Sequence, residues 1–310
     1  MAAREAVLLL CPVPADLRAA LAERHELVED KPAAGPRPGF RVAVTTAMNG
    51  AGAAQFDRLP DLRLLSSQGT GLERIDLAEA ARRGIAVAYT PDVMTEDVAD
   101  AAIGLMYGAA RLVAEADRFV RAGRWGSERM RPGISLHRKT AGIVGMGRIG
   151  QAIARRCDGL GMAVAWTGPR PKPALPWPHV PGLAALAERA DVLILALAAG
   201  PGTDGMVDAA ALRALGPRGV LVNIARGSVV EEEALIAALQ DGTIAGAGLD
   251  VFAQEPALDR RFLAIGNVVL APHSASLTQE TRAALIARML ADIEAFLAGQ
   301  PFLDAATVAR

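Results

Sequence analysis

The stretch GIVGMGRIG, which runs from Gly142 to Gly150, places three glycines at the end of an apolar run. Gly147 follows Gly145 by two residues, and Gly150 comes three residues later. Between a strand and a helix, the first such glycine makes a tight turn, the second lets the backbone approach a pyrophosphate, and the third lets helix and strand pack closely. The spacing therefore predicts a dinucleotide-binding loop. The alternatives are a methyltransferase-type sheet and a corner that is glycine-rich by chance.

The segments on both sides of this loop have the patterns that such a loop requires. TAGIVG before it is a candidate strand, and RIGQAIARRCDGL after it has the apolar spacing of a helix. Backbone amides at the start of that helix, at Arg148 and Ile149, would face the phosphates with the help of the helix dipole.

Five more apolar runs follow, with helical patterns between them. Near-continuous apolar runs are typical of parallel strands that are buried on both faces. Together with TAGIVG they predict a six-stranded doubly wound sheet. The five runs are MAVAWTG, DVLILALA, GVLVNIA, AGAGLDVF and NVVLAP.

The first third of the chain has a similar alternation of patterns. Its candidate strands are AVLLLCP, RVAVTT, LRLLSSQ and IAVAYT. One long helix is predicted over TEDVADAAIGLMYGAARLVAEADRFVRAG, with Thr95 as its N-cap. The C-terminal pattern TQETRAALIARMLADIEAFLAG predicts a helix that returns to the first domain. We therefore predict an α/β fold of two doubly wound parallel-sheet domains, one flavodoxin-like and one Rossmann.

Composition and charge exclude several classes of protein. The 33 basic and 34 acidic residues give a formal net charge of −1, which does not favour nucleic acid or an anionic membrane as a partner. No apolar run approaches the ~20 residues of a membrane helix. Two cysteines, Cys11 and Cys157, suggest neither a disulfide framework nor a metal site, and Cys157 lies on an apolar helical face. We expect a cytoplasmic protein that holds no metal.

The end of the second strand of the predicted Rossmann sheet bears on the choice of cofactor. A free ribose 2′-hydroxyl usually meets Asp or Glu there, but this strand ends at Gly168, followed by Pro169 and Arg170. Without the carboxylate, a 2′-phosphate is not repelled, and Arg170 can bind it. The sequence thus favours NADP(H), with NAD(H) possible. The alternative is that Arg170 and Lys172 are solvated loop charges.

Polar residues follow the last three strands of the predicted sheet, at the edge where ligands bind in such folds. Arg226 follows GVLVNIA, Asp250 and Glu255 follow AGAGL, and His273 follows NVVLAP. These groups suit hydride transfer to a carbonyl. His273 can protonate the nascent alkoxide, a hydrogen bond to Glu255 can orient its ring, and Arg226 can bind a carboxylate and polarise the carbonyl. Each can instead be structural, as a strand-end ion pair, a surface acid or a buried histidine.

Several segments together resemble the D-isomer-specific 2-hydroxyacid dehydrogenases, and the NADPH-dependent glyoxylate, hydroxypyruvate and hydroxyphenylpyruvate reductases among them most. The resemblance covers nearly the whole chain. It rests on GIVGMGRIGQAIARRCDGLGM, LVNIARGSVVEEEALIAAL, GAGLDVFAQEP, LAPHSAS, GTGLERIDLAEAARRGIAVAYTPDVMTEDVADAAIGLM and ADRFVRAGRW.

The resemblance implies roles for individual residues. Arg226, Glu255 and His273 match the family's catalytic trio, and amides near Thr70 and Gly71 would hold the substrate carboxylate. It further implies a homodimer, in which Trp125 can reach the partner's active site, although ordinary interface packing explains a tryptophan there equally well. The remaining expected contacts are Ser276 with substrate, and Thr95, Ala225 and Asp250 with cofactor.

We expect residues 1–97 with 279–310 to form the substrate domain, and residues 98–278 the cofactor domain. Few aromatic residues stand near the expected pocket, which favours glyoxylate or hydroxypyruvate as the substrate over an aryl pyruvate. A non-enzymatic protein that senses dinucleotides is a further alternative, because relatives of this fold act as corepressors.

Overall fold

The computed structural model describes residues 4–31, 35–302 and 308–309. The chain forms two compact units: unit 1 is Met1–Met94 with Thr278–Arg310, and unit 2 is Thr95–Leu277. The sequence predicts boundaries after residues 97 and 278, whereas the structure divides the chain after Met94 and Leu277.

The strands, within the described residues, are short and alternate with helices along the chain. In chain order they are β1 (Ala6–Leu9), β2 (Glu26–Glu29), β3 (Val42–Thr46), β4 (Leu64–Gln68), β5 (Ala86–Ala88), β6 (Thr140–Val144), β7 (Ala163–Thr167), β8 (Val192–Leu195), β9 (Val220–Asn223), β10 (Gly246–Leu249), β11 (Val268–Leu270) and β12 (Val308–Ala309).

The α-helices are α1 (Ala15–Arg24), α2 (Ala53–Arg58), α3 (Leu77–Arg82), α4 (Thr95–Ala110), α5 (Val113–Arg121), α6 (Arg148–Gly159), α7 (Leu183–Ala187), α8 (Ala209–Leu215), α9 (Glu232–Asp241) and α10 (Gln279–Leu297). In the part of the chain that the structure describes, none of them is long and apolar enough to cross a membrane.

Unit 1 contains one sheet in the order β12-β5-β4-β3-β1-β2. All pairs are parallel except β12 with β5, which is antiparallel. The order of the first five strands is that of flavodoxin-like sheets. Helix α10 packs in the same core as β1, β3 and α1, which agrees with the predicted return of the C-terminal helix to the first domain.

Unit 2 contains a parallel sheet in the order β11-β10-β9-β8-β6-β7. An isolated bridge between Trp166 and His179 extends it beyond β7. Strand β7 and this bridge thus lie on one side of β6, and β8 to β11 lie on the other, so the strand order reverses at β6 as in a Rossmann sheet. Every residue of β8, β9 and β10 is buried, which explains their unbroken apolar runs. The predicted fold of two doubly wound sheets is confirmed.

The single long helix predicted from Thr95 is wrong, because the structure has two helices there. Helix α4 begins at Thr95 and ends at Ala110, and Leu112 takes a left-handed conformation with φ of 57° before α5 begins. The carbonyl of Ala110 accepts a hydrogen bond from the amide of Ile134 at 2.7 Å. That acceptor is therefore used by a distant segment rather than by a continued helix.

Candidate active site

The glycine-rich loop joins β6 to α6 and has a conformation that requires glycine at two positions. Gly145 has φ of +92°, and a Cβ there would lie 2.7 Å from the carbonyl oxygen of Ala196. A Cβ on Gly150 would lie 2.1 Å from the carbonyl oxygen of Gly145. The loop thus turns tightly into the start of α6, as the sequence predicts, and also lies against the residue that follows β8.

Gly147 differs from its two neighbours, because a Cβ there would meet no atom within 4 Å. It is the N-cap of the twelve-residue helix α6 and offers no side-chain acceptor to the first-turn amides. Arg148 is exposed and Ile149 half-buried in that first turn. Strand β6 lies between β7 and β8, so the loop sits where the strand order reverses. Open space in front of a helix N-terminus at this position fits a pyrophosphate.

The segment after β7 brings a cation to the glycine-rich loop. Gly168 and the exposed Arg170 lie in it as predicted, and no carboxylate stands at the strand end. The ammonium of Lys172 donates a hydrogen bond to the carbonyl of Met146 at 2.8 Å. Lys172 is therefore not simply a solvated charge, since it reaches the middle of the glycine-rich loop.

Arg226 lies just beyond the carboxyl end of β9. Asn223, the last residue of that strand, donates from its amide nitrogen to the carbonyl of Arg226 at 3.0 Å and accepts from the amide of Ala225 at 3.0 Å. The guanidinium of Arg226 donates to the carbonyl of Ala225 at 2.8 Å. A compact turn thus fixes the backbone from which the guanidinium projects.

Glu255 and His273 form a hydrogen-bonded pair. Nδ1 of His273 lies 2.7 Å from Oε2 of Glu255, and the other carboxylate oxygen of Glu255 accepts from the amide of Phe252 at 2.9 Å. The His273 side chain is 35% exposed and the Glu255 side chain 17%. Because the carboxylate accepts, Nδ1 is the donor, and Nε2 is the ring nitrogen available to a ligand. The predicted pairing of these side chains is present.

Gly227 allows the turn that bears Arg226 to lie against the segment that contains Glu255. A Cβ on Gly227 would lie 1.9 Å from the carbonyl carbon of Phe252. Gly227 follows Arg226 directly, and the amide of Phe252 binds Glu255. The close backbone approach therefore places the two segments side by side.

Asp250, predicted as a cofactor contact, is 2% exposed. Its carboxylate accepts from the amides of Ser274 at 2.8 Å and Ala275 at 3.0 Å. Burial raises the pKa of this carboxyl, although the two amide bonds oppose the shift. The bonds tie the end of β10 to the segment that follows His273.

The other predicted site residues fall into two groups. In unit 2, Thr95 is the first residue of α4, Ser276 is half-buried three residues after His273, and Trp125 is 75% exposed in a 3₁₀ turn. In unit 1, Thr70 and the buried Gly71 follow β4, with the hydroxyl of Thr70 3.6 Å from the sulfur of Met94.

Sequence reasoning missed two residues and one contact of the site: Asn223, Gly227 and the contact of Lys172 with the glycine-rich loop. The signal for Asn223 was a polar residue at the end of an otherwise apolar strand. For Gly227 it was a glycine directly after the candidate arginine. The contact of Lys172 has no local signal, because its partner lies 26 residues away.

Comparison with known proteins places the chain in one family. The model for "D-isomer specific 2-hydroxyacid dehydrogenase, NAD binding domain" matches residues 103–275. A 2-ketogluconate reductase of Gluconobacter oxydans (strain 621H) is 45% identical over 266 residues, which are 86% of each chain. Glyoxylate/hydroxypyruvate reductase A of Arabidopsis thaliana is 38% identical and aligns with 96% of this chain, over 97% of its own length.

A solved structure has the same fold over almost the full length. The NADPH-dependent glyoxylate/hydroxypyruvate reductase of Sinorhizobium meliloti, in complex with NADP and malonate, superposes with a TM-score of 0.92 at 36% identity. The alignment covers 99% of this chain and 97% of that one. The chain therefore belongs to the D-isomer specific 2-hydroxyacid dehydrogenases, and it is an oxidoreductase that acts on 2-hydroxy or 2-oxo acids with a nicotinamide dinucleotide.

Proposed function

We propose that the protein reduces a small 2-oxo acid, glyoxylate or hydroxypyruvate, with NADPH as the hydride donor. The observation that carries this proposal is the bond of 2.7 Å between His273 and Glu255 beside the turn of Arg226. An imidazole held by a carboxylate is suited to proton transfer near neutral pH.

The roles of the trio follow from the geometry. Nε2 of His273 donates a proton to the substrate oxygen as it becomes an alkoxide, and Glu255 stabilises the imidazolium and fixes the ring plane. Arg226 binds the substrate carboxylate and polarises the carbonyl. The nicotinamide, when bound, supplies the hydride. In the oxidising direction His273 accepts the proton from the hydroxyl group.

The cofactor would be held at the carboxyl edge of the sheet in unit 2. We assign the pyrophosphate to Gly145, Gly147, Arg148, Ile149 and Gly150, since α6 begins there without a side-chain cap. A 2′-phosphate would lie near Gly168, where Arg170 and Lys172 provide positive charge. The remaining cofactor contacts that we propose are Thr95, Ala225 and Asp250.

The substrate contacts outside the trio are proposals of the same kind. Amides of Thr70 and Gly71 would bind the substrate carboxylate, and Ser276 would line the site. Trp125 has 75% of its surface exposed, and Val113 and Val120 on α5 of the same unit are also exposed. Exposed apolar side chains of this size are suited to contact with a second copy of the chain, so we propose a homodimer in which Trp125 approaches the partner's site.

A second candidate substrate is a 2-oxo sugar acid. The relative with 45% identity is a 2-ketogluconate reductase. In unit 1, the turn after β3 presents polar groups: the hydroxyl of Thr46 donates to the side-chain oxygen of Asn49 at 2.8 Å. A polar turn at the carboxyl end of a strand is suited to a polyhydroxylated substrate.

The experiment is cofactor oxidation by the purified protein. NADPH and NADH are each mixed with glyoxylate, hydroxypyruvate, 2-ketogluconate and hydroxyphenylpyruvate. We expect a higher kcat/KM with NADPH, and activity on the first two acids. Activity confined to 2-ketogluconate favours the second candidate, and activity confined to hydroxyphenylpyruvate contradicts both. Binding of NADPH without turnover of any acid favours a dinucleotide-sensing protein.

A further inference from the structure

At the carboxyl ends of two neighbouring strands of unit 2 lie buried polar residues whose side chains are hydrogen-bonded to the backbone. Asn223 ends β9 and is 1% exposed; Asp250 follows β10 and is 2% exposed. The amide of Asp250 donates to the carbonyl of Asn223 at 3.0 Å, so the two residues are linked directly. Burial of an amide and a carboxylate is unfavourable unless hydrogen bonds compensate it, and both side chains have such bonds.

Asn223 closes the turn that bears Arg226. Its side-chain oxygen accepts from the amide of Ala225, and its side-chain nitrogen donates to the carbonyl of Arg226. Both bonds hold the main chain, so the direction in which Arg226 leaves the strand depends on this side chain. An apolar residue of similar size would fill the space without fixing the turn.

Asp250 holds the backbone of His273. The carbonyl of Asp250 accepts from the amide of His273 at 2.8 Å, and its carboxylate accepts from the amides of Ser274 and Ala275. His273 has φ of +53°, in the left-handed region that residues other than glycine seldom adopt. Three bonds from one residue therefore stabilise an unfavourable conformation at the residue whose ring binds Glu255.

We propose that Asn223 and Asp250 are positioning residues: Asn223 sets the direction of Arg226, and Asp250 sets the direction of His273, both through the main chain. The proposal rests on the proposed roles of Arg226 and His273. It gives Asp250 a role in addition to the proposed cofactor contact. The two residues should therefore have separable effects, one on binding of the 2-oxo acid and one on proton transfer.

Two residues at the amino end of the same sheet serve as matched controls, one for Asn223 and one for Asp250. Asn267 precedes β11 and donates from its side chain to the carbonyls of Leu239 and Ala245, at 3.2 and 3.3 Å. Asp191 precedes β8 and accepts from the amide of Thr140 at 2.9 Å and from Lys139 at 3.0 Å. Substitution of these control residues removes similar hydrogen bonds at the end of the sheet opposite to Arg226, Glu255 and His273.

The positioning of Arg226 is tested with the variants Asn223→Ala and Asn223→Asp, and Asn267→Ala is their control. The aspartate keeps the acceptor for Ala225 but faces the carbonyl of Arg226 with an oxygen. We expect both Asn223 variants to raise KM for the 2-oxo acid about tenfold or more, with kcat/KM falling up to about a hundredfold. The Kd for NADPH should be unchanged, and the control should behave as wild type.

The positioning of His273 is tested with the variant Asp250→Asn, and Asp191→Asn is its control. One amide of Ser274 or Ala275 would then face an NH₂ group. We expect kcat to fall about a hundredfold and its pH profile to change, with little change in KM for the acid. Loss of NADPH affinity with a wild-type kcat and pH profile would overturn the proposal, because Asp250 would then act only as a cofactor contact.

Amide hydrogen exchange provides a readout that does not depend on activity. We expect the amides of Ser274 and Ala275 to be protected in the wild type and to lose protection in Asp250→Asn alone, and the amide of Ala225 to lose it in Asn223→Ala alone, because Asn223→Asp keeps the acceptor oxygen. If the wild type reduces none of the acids, the proposed function fails, and this local pattern still decides whether the two residues hold the main chain. Equal loss of protection across the sheet in variants and controls, or no loss, would overturn the positioning roles.

Discussion

The two sheets have similar topology but different chemistry at their carboxyl edges. In unit 1 the buried polar groups at that edge are neutral hydroxyls: Thr45 donates to the carbonyl of Gly50 at 2.7 Å, and Thr90 accepts from the amide of Gly69 at 3.0 Å. In unit 2 the edge holds Arg226, and the pair of Glu255 and His273. A doubly wound sheet therefore supplies a place for a ligand, and the side chains at the strand ends decide between binding and proton transfer.

The largest effect should come from the histidine at the edge of unit 2. His273→Gln keeps a polar side chain, but an amide cannot donate or accept a proton as a general acid or base near neutral pH. We therefore expect kcat to fall about 10²–10⁴-fold. The measurement is steady-state NADPH oxidation, with cofactor affinity measured separately. His137→Gln is the control, because that histidine is exposed elsewhere in unit 2. Near-full activity of His273→Gln would remove the distinction between the two edges.

The second effect concerns the close backbone approach beside Arg226 at the edge of unit 2. Gly227→Ala would force a Cβ to within 1.9 Å of the carbonyl carbon of Phe252, so we expect the free energy of unfolding to fall by about 3 kcal/mol. Urea denaturation measures it. Gly159→Ala in α6 is the control, since nothing lies within 4 Å of its added Cβ. A variant as stable and as active as wild type would show that the two segments need not touch.

A third variant pair tests whether the cations after β7 select the cofactor. Lys172→Ala and Arg170→Ala each remove one charge, and a charge-assisted hydrogen bond contributes about 1.5–3 kcal/mol. We expect KM for NADPH to rise about tenfold or more in each variant, with KM for NADH unchanged. The exposed Arg218 provides the control variant Arg218→Ala. Equal changes for both cofactors would refute selection of the 2′-phosphate.

The smallest effect is on the pH dependence of stability, and it comes from a histidine of unit 1 that, unlike His273, is buried. His25 is 6% exposed, and in the described part of the chain no group hydrogen-bonds to its Nε2. Burial lowers the pKa of His25. The unfolded chain then binds more protons than the folded one, so stability is lost as the pH falls below about 6.5.

His25→Gln should make stability less dependent on pH between about pH 8 and pH 5, by urea denaturation at each pH. His137→Gln, at an exposed position, should leave the dependence as in wild type. An unchanged slope in His25→Gln would mean that other groups account for the loss of stability at low pH.

The sequence predicts those parts of the molecule whose cause is local. The spacing of Gly145, Gly147 and Gly150 predicts the loop, because each glycine has a reason that lies in the turn itself. The unbroken apolar runs of unit 2 predict its strands, since both faces of that sheet are buried. The burial of Cys157 is confirmed, because this residue lies on the apolar face that the helical spacing predicts for α6. Burial raises the pKa of its thiol to about 12.

The parts that the sequence did not predict depend on distant contacts. Strand β2, ELVE, has exposed ends and only two half-buried residues, so it lacks the pattern of a buried strand. The break between α4 and α5 depends on Ile134, and the contact of Lys172 depends on Met146. The left-handed backbone of His273 has no local cause, because Asp250 stabilises it from another strand.

The most direct test of the central claim is the configuration of the product. Purified protein is incubated with NADPH and hydroxypyruvate, and the glycerate is resolved by chiral chromatography while NADPH absorbance is followed. We predict NADPH oxidation that yields D-glycerate in equal amount, and loss of both signals in His273→Gln. Formation of L-glycerate, or full turnover in His273→Gln, would contradict the account.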